Sequence, residues 1–208
     1  MADRLRPLWD FDDLDASEGR FRDQLGREES DAARAEVLTQ LARVEGLRGD
    51  FEGCARLLDE AEPLAGSSAP ANIRLDLERG RMFRSRGDLE AALPLFRSAF
   101  DRALEADEHY LAGDAVHMCA IAVSDIAAIA EWTERGLELC EREPGAAYWA
   151  GPLLNNLGWA YYDAGEHERA LELFERALEV RERDRANEAA IANAKEAVET
   201  ARQALGRG

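Results

Sequence analysis

The chain has 208 residues, a hydrophobic fraction of 46% and a formal net charge of −17. This length accommodates one domain with a substantial core, or a short stack of repeated units. The excess of carboxylates repels phosphate backbones and anionic membranes, so we expect neither nucleic acid nor a membrane as a partner. Charges interrupt every apolar run before the ~20 residues that span a bilayer, and residues 1–10 lack the apolar segment of a secretory signal, so we expect a cytoplasmic protein.

The predicted elements are all helices, because apolar residues recur at three- and four-residue steps and no stretch alternates as a strand does. At the amino end, DLDASEGRFRDQL predicts the second helix of a hairpin whose first helix is missing. At the carboxyl end, NEAAIANAKEAVETARQAL predicts one more amphipathic helix. We interpret both as polar-faced caps of a repeat stack. The breaks between helices fall at Gly49-Asp50, 63–70, Gly87-Asp88, Ser124-Asp125, 143–152 and Gly165-Glu166.

The last helix pair, LLNNLGWAYYDAGEHERALELFERALEV, carries the clearest pattern of small and large residues. Its key positions are Leu154, Leu157, Gly158, Tyr161, Ala170, Phe174 and Ala177. This pattern resembles the tetratricopeptide repeat. Gly158 and Ala170 are small so that two helices approach closely, while larger residues such as Phe174 fill the space beside them. Gly165 allows the tight turn between the two helices.

The same frame fits two upstream units, 35–68 and 73–106. In the first it selects Leu41, Ala42, Gly49, Cys54, Leu58 and Ala61, and in the second Gly80, Phe83, Gly87, Ala92, Phe96 and Ala99. The unit 110–143 is degenerate, because its register places His117 and Ile129 at positions that should be small. Either this hairpin packs differently or its alignment contains a gap.

The resemblance implies an all-α fold, a right-handed α-α superhelical solenoid of about four hairpins with a capping helix at each end. The predicted division is a capping half-repeat at 1–34, repeats at 35–68, 73–106, 110–143 and 151–184, and a capping helix at 185–208. The units lack the terminal proline of the family and their starts lie more than the family's ~34 residues apart, as in a long-helix variant. We also expect Pro94 to kink the second helix of its unit or to delay its start.

No catalytic centre is expected, because no phosphate-binding loop, zinc-protease or nucleophile-elbow motif occurs. We therefore predict a protein that is not an enzyme and needs no cofactor. His109, Asp114 and His117 could share neighbouring faces of one helix at a spacing that holds a metal, but a hydrogen-bonded histidine is commoner, so we predict no metal site. The cysteines at 54, 119 and 140 have no paired spacing, which favours small buried thiols.

The resemblance also implies that the first helix of each hairpin lines a concave groove. Four arginines would form a basic strip there, and apolar and aromatic residues would form an end beyond it. Arginine suits carboxylates, and Trp, Tyr and Arg often dominate binding at interfaces. The predicted site would hold a protein or peptide with an acidic segment and one apolar anchor near Trp159. Its residues are Arg43, Arg74, Arg81, Arg84, Asp114, Met118, Asn155, Trp159 and Tyr162.

Other interpretations remain open at this stage. Arg74 could pair with Glu78 and Arg84 with Asp88, which would leave only a solvated face. Trp159 and Tyr162 could pack against a neighbouring hairpin or the terminal helix. As a different class of function, helices 13–28 and 187–205 could pair between copies and make a self-assembling module, so a homodimer stays open. A third hypothesis is a sensor fragment of a larger regulator.

Overall fold

The structure, a computed structural model, describes residues 3–184 and 188–206. These residues form α-helices and two short 3-10 turns and include no strand, which confirms the all-α prediction. The 3-10 turns are Arg6–Leu8 and Pro144–Trp149. The helices are α1 (Leu14–Leu25), α2 (Asp31–Arg48), α3 (Phe51–Ala65), α4 (Ala69–Ser85), α5 (Leu89–Glu105), α6 (His109–Ala120), α7 (Ile126–Arg142), α8 (Ala150–Asp163), α9 (His167–Arg183) and α10 (Glu188–Ala204).

The tight turns inside the hairpins depend on a glycine followed by an acidic residue. Gly49, Gly87 and Gly165 have φ values of 82°, 82° and 79°, a left-handed conformation that glycine adopts without strain. The next residue then starts the second helix. In the first two hairpins its carboxylate also caps that helix, because the side chain of Asp50 or Asp88 accepts a hydrogen bond from a backbone N–H of the first turn.

Four hairpins, α2–α3, α4–α5, α6–α7 and α8–α9, stack in chain order as a solenoid. The first helices pack on one another in sequence, and each second helix packs on the first helix of the next hairpin. The first helices α2, α4, α6 and α8 therefore form an inner layer and the second helices an outer layer. The buried apolar side chains lie between these layers along the whole stack.

The two layers meet most closely at a glycine that faces an aromatic ring. A Cβ added to Gly158 would lie 2.5 Å from the Phe174 ring, and one added to Gly80 would overlap the Phe96 ring in the same way. Both phenylalanines are fully buried. The predicted role of Gly158 as a point of close helix approach is thus confirmed, and it recurs in the second hairpin.

Pro94 does not delay the start of its helix, so of the two predicted alternatives the kink stays a prediction. Two other helices start ahead of the repeat units predicted from the sequence. The helix α5 begins at Leu89 and runs through Pro94 without a delayed start, at the cost of the hydrogen bond that a proline cannot donate to the preceding turn. The helices α2 and α4 begin at Asp31 and Ala69, ahead of the predicted unit starts at 35 and 73. The N-cap residues Ser30 and Ser68, which accept hydrogen bonds from the first turns, fix these starts.

The third hairpin packs differently from the others because the turn Pro144–Trp149 is inserted against it. The Trp149 side chain fills the space beside Gly113, where an added Cβ would overlap the indole ring. Its Nε1 donates a hydrogen bond of 2.9 Å to the backbone oxygen of Tyr110. The ring of His117 lies 5.2 Å from that of Trp149, so this large residue packs against the inserted turn.

Both end helices bury their apolar faces within the chain. In α1, Phe21 is fully buried and its ring lies 5.0 Å from Trp9. In α10, Ala197, Val198 and Ala201 are buried in one cluster with Phe174 of the last hairpin. Within residues 3–184 and 188–206, no helix combines the length and hydropathy of a transmembrane span.

Candidate functional site

Two adjoining cavities lie on the inner layer of helices. The first, of about 210 Å³, lies beneath residues 3–11, and we call it the strap cavity and those residues the strap. The second, of about 260 Å³, lies between the carboxyl ends of α2, α4 and α6, and we call it the arginine cavity. Arg43, Glu78 and His117 line both cavities, so the two spaces meet at these side chains.

The strap is held across the inner layer by polar and aromatic contacts. The Asp3 carboxylate accepts a hydrogen bond of 2.6 Å from Arg74 on α4. Trp9 donates from Nε1 to the Gln40 side chain at 2.9 Å, and the Arg43 guanidinium lies 5.4 Å from the Trp9 ring. These contacts fill the amino-terminal part of the predicted groove with the chain's own residues.

The strap also reaches the inserted turn. The Arg6 guanidinium lies 5.2 Å from the ring of Phe11 and 5.7 Å from that of Tyr148. Phe11 and Tyr148 are 45% and 51% exposed, so these rings form the mouth of the strap cavity at the solvent. The strap therefore connects the first hairpin with the segment that follows the third.

Two of the predicted arginines belong to buried ion-pair networks. Arg74, which is 6% exposed, pairs with Asp3 and with Glu36 at 3.1 Å. Burial alone would lower the pKa of this guanidinium, but the two carboxylates outweigh it and raise the pKa. The alternative pair of Arg74 with Glu78 does not form. These contacts leave Arg74 no free face for an acidic ligand.

Arg81 is neutralised in the same manner by Glu78 at 2.6 Å and by Asp114. Burial would raise the pKa of the Asp114 carboxyl, but Arg81 and then Arg43 hold this pKa below its ordinary value. Asp114 therefore remains ionised as the buried partner of Arg81. Arg43 itself lies 3.8 Å from Glu78.

Arg84 is the exception among the four predicted arginines. Its side chain is exposed, and its Nε donates a hydrogen bond of 3.2 Å to the backbone oxygen of Ile121. Within the part of the chain that the structure describes, no carboxylate lies within 4.0 Å of this guanidinium, so the alternative pair with Asp88 does not form. Arg84 keeps donors available to an external acceptor at the rim of the arginine cavity.

Three buried polar atoms at the junction of the two cavities have no hydrogen-bond partner among the described residues. They are Arg43 Nε, Glu78 Oε2 and His117 Nδ1. The other ring nitrogen of His117, Nε2, lies 2.8 Å from the amide nitrogen of Asn156. Burial, followed by the nearby arginines against the opposing effect of Asp114, lowers the pKa of His117 to about 4, so its ring is neutral at pH 7.

The structure divides the predicted site among three places. Arg43, Arg81, Arg84 and Met118 line the arginine cavity, whereas Arg43, Arg74 and Asp114 line the strap cavity. Asn155 and Trp159 line a separate pocket whose other walls include Ala197 and Thr200 of α10.

The predicted arginine strip and the predicted aromatic end at Trp159 therefore line separate pockets. The Trp159 ring lies 4.9 Å from Phe174 and 5.4 Å from Tyr162, and both Trp159 and Tyr162 pack against the apolar cluster that contains α10. The alternative that these aromatics pack against the terminal helix is the correct one. Met118 is buried and belongs to the arginine cavity instead.

Several aromatic residues of the strap cavity were not found from the sequence. Trp9 and Phe11 lie in the segment interpreted as a cap, and Tyr148 and Trp149 lie in a break between helices. The sequence did contain a signal. Two aromatic residues stand close together in each of these segments, although a connection between helices does not require aromatic residues. Tyr110 was not assigned to the groove either, although it begins the predicted third unit.

The histidine and cysteine side chains do not converge on a common centre. His109 Nδ1 lies 3.2 Å from Glu143, Asp114 pairs with Arg81, and His117 contacts Asn156. Across residues 3–184 and 188–206, no group of three His, Cys, Asp or Glu side chains could hold a metal ion. The cysteines 54, 119 and 140 are free thiols, and burial raises the pKa of each to about 12.

The family comparison agrees with this architecture. The family model of the tetratricopeptide repeat matches residues 118–183, from the end of α6 to the end of α9. The match confirms, over these residues, the resemblance drawn from the residue pattern. Repeats of this family generally act as non-catalytic scaffolds for interactions between proteins.

Solved structures of the same fold cover nearly the whole chain. The crystal structure of BtubC (BKLC) from P. vanneervenii is 18% identical, with a TM-score of 0.70 over 99% of this chain and 85% of that one. A STAND signal-transduction ATPase with a tetratricopeptide repeat sensor, from Pyrococcus horikoshii, is 13% identical, with a TM-score of 0.66 over 88% of this chain. The chain spans only 28% of that ATPase. Both similarities concern the fold alone, and no curated protein matches the sequence.

Proposed function

We propose that this chain is a non-catalytic, cytoplasmic scaffold that binds a protein segment at the arginine cavity. The segment presents an acidic residue to Arg84 and one apolar side chain to the cavity floor. The observation that carries this proposal is the exposed Arg84 guanidinium, free of any carboxylate among the described residues, at the rim of a cavity of about 260 Å³. The three free thiols fit the reducing cytoplasm.

The floor and rim of the arginine cavity are suited to an apolar anchor. Met82 and Met118 are 9% and 5% exposed and line the cavity together with Ile121. Methionine side chains adapt to apolar partners of different shapes. Leu47 is 52% exposed at the rim, and covering such a side chain stabilises a complex by up to about 2 kcal/mol.

The charges of the cavity favour a single acidic contact. Arg81 and Arg43 already face Glu78, so they add little net attraction for an incoming carboxylate. Arg84 has donors left beyond its Nε, and a guanidinium accommodates a carboxylate in a bidentate pair. An exposed pair of this kind contributes roughly 0–1 kcal/mol, so most of the affinity would come from the apolar anchor.

Self-assembly through the terminal helices receives less support. The apolar faces of α1 and α10 that would pair between copies are buried within one copy, at Phe21 and at Ala197. Exchange between copies would require both faces to leave these clusters. The arginine cavity, in contrast, needs no rearrangement to receive a partner.

A peptide-display selection against the folded protein tests the proposal. We expect the recovered peptides to be enriched in Asp or Glu next to a large apolar residue, and we expect Arg84→Glu to weaken their binding by about tenfold, equivalent to ~1.4 kcal/mol. The matched control is Arg56→Glu, an exposed arginine on the outer helix α3. Equal binding by the wild type and Arg84→Glu, or peptides without acidic residues, would overturn the proposal.

A further inference from the structure

The strap cavity contains the elements of a second binding site, distinct from the arginine cavity. We propose that it binds a free α-amino acid with an apolar side chain, taken up as the zwitterion. The head group would contact the polar atoms at the inner end of the cavity, and the side chain would lie among the aromatic residues toward the mouth. This inference goes beyond the protein-binding function proposed above.

The polar atoms without partners match both halves of an amino-acid head group. Glu78 Oε2 is a carboxylate acceptor on a side chain that is only 3% exposed, and it lines the cavity. An ammonium group would supply the donor that this oxygen lacks. Arg43 Nε is a buried donor on the same cavity wall, and a carboxylate would supply its acceptor. Buried polar atoms without partners are costly, so a ligand that satisfies them gains affinity.

His117 adds a second donor for the carboxylate. The Asn156 amide nitrogen, which only donates, lies 2.8 Å from His117 Nε2, so Nε2 accepts. The single proton of the neutral ring is therefore on Nδ1, the buried atom without a partner. Two donors and one anionic acceptor without partners therefore belong to side chains that line the junction of the two cavities.

The charge of the cavity wall favours a ligand without net charge. Three arginines and three carboxylates line the strap cavity, so the wall has no net charge that would attract an anion or a cation. A zwitterion, in contrast, can pair its ammonium group with a carboxylate and its carboxylate with an arginine. The arginines are Arg6, Arg43 and Arg74, and the carboxylates are Asp3, Glu78 and Asp114.

The remaining wall is aromatic and large enough for a side chain. Trp9, Tyr110 and Trp149 line the cavity, and the exposed rings of Phe11 and Tyr148 stand at its mouth. The volume of about 210 Å³ exceeds the ~150 Å³ of an engineered protein cavity that holds benzene. A phenylalanine or leucine side chain is of this size and would cover apolar surface on several rings.

Calorimetric titration of the full chain with L-phenylalanine and L-leucine tests the proposal. The matched comparison ligands are 3-phenylpropanoate, which lacks the ammonium group, and phenethylamine, which lacks the carboxylate. We expect at least one of the two amino acids to bind, and L-phenylalanine to bind about tenfold tighter than either of its fragments, equivalent to ~1.4 kcal/mol. Failure of both amino acids to bind, or equal affinity for the fragments, would overturn the site.

Two variants test which residue contacts the ammonium group of the ligand and which contacts its carboxylate. Glu78→Gln removes the anionic acceptor, and we expect it to weaken L-phenylalanine about tenfold while 3-phenylpropanoate changes little. The control Glu62→Gln lies on the exposed outer helix α3 and should change neither ligand. If Glu78→Gln fails to fold, Arg43→Lys removes Nε but keeps the charge, and should weaken the two carboxylate ligands but not phenethylamine.

A further comparison separates this site from a peptide site and from the proposed scaffold function. L-phenylalaninamide has the ammonium group but a net positive charge, as the amino terminus of a peptide has, and its tighter binding would contradict a free amino acid as the ligand. Arg84→Glu should leave L-phenylalanine binding unchanged within about twofold, because Arg84 does not line the strap cavity. A tenfold loss in this variant would contradict the assignment to a separate cavity.

Discussion

At the scale of single residues, the hairpins depend on the match between a small residue on the first helix and a large one on the second. In the second and fourth hairpins, Gly80 faces Phe96 and Gly158 faces Phe174. In the first hairpin, alanine replaces the glycine and leucine replaces the phenylalanine at the same spacing. These residues, Ala42 and Leu58, are both fully buried. The small and the large side chain therefore complement each other in volume.

This match predicts the effect of Gly80→Ala. The added methyl overlaps the Phe96 ring, so we expect a loss of about 1–3 kcal/mol in the free energy of unfolding, measured by urea denaturation. The loss should shrink in a Phe96→Leu background, which recreates the Ala42 and Leu58 combination. Gly19→Ala is the control, since no atom lies within 4 Å of its added Cβ. Equal losses in both backgrounds would refute coupling between the two positions.

The pattern of small and large residues explains why this part of the fold could be predicted. Gly158 and Phe174 lie in helices whose period fixes which residues face each other, so their contact follows from spacing alone. The contact between Asp3 and Arg74 joins residues 71 positions apart through a segment without periodicity. Nothing in the local sequence of Asp3 indicates which helix it reaches. Only the structure could therefore identify Asp3 as a buried partner of Arg74.

At the scale of elements, the strap and the inserted turn change what the groove can do. Both are irregular segments, and both place aromatic residues on the inner layer, with Trp9 contacting Gln40 and Trp149 contacting Tyr110. The sequence predicted a basic strip of four arginines on that layer. The strap covers two of them, because Asp3 pairs with Arg74 and Trp9 lies against Arg43. The arginine cavity is the part of this layer that no strap residue lines.

We expect the strap to be a local unit that depends on its tryptophan. Trp9→Ala removes a buried side chain that stacks on Phe11 and contacts Phe21, so the strap should detach before the helices unfold. Hydrogen exchange measured by mass spectrometry should speed up in residues 3–11 and remain unchanged in α8 and α9. Trp159→Ala, at the opposite end of the stack, is the matched control and should leave the strap protected. A uniform increase across the chain would show that the strap is not a separate unit.

At the scale of the whole molecule, the stack combines an acidic surface with ion pairs inside the inner layer. The sequence has 43 acidic residues against 26 basic ones. Arg74 and Arg81 each hold two carboxylates inside the inner layer, where salt screens little. The excess negative charge therefore lies mostly on the exposed faces, and its self-repulsion opposes the compact state.

This distribution predicts that salt stabilises the protein. Between about 20 mM and 500 mM NaCl the screening length falls several-fold, which weakens repulsion among the excess carboxylates throughout the molecule. The same salt weakens exposed pairs such as Arg169 with Glu166, but each of these contributes only about 0–1 kcal/mol. We expect the free energy of unfolding, measured by urea denaturation, to rise by about 2 kcal/mol over this range. The same titration with a neutral osmolyte of equal osmolarity is the control for effects that do not depend on charge. A free energy of unfolding that falls with salt would contradict this expectation. It would show that the exposed ion pairs stabilise the fold by more than the repulsion among carboxylates destabilises it.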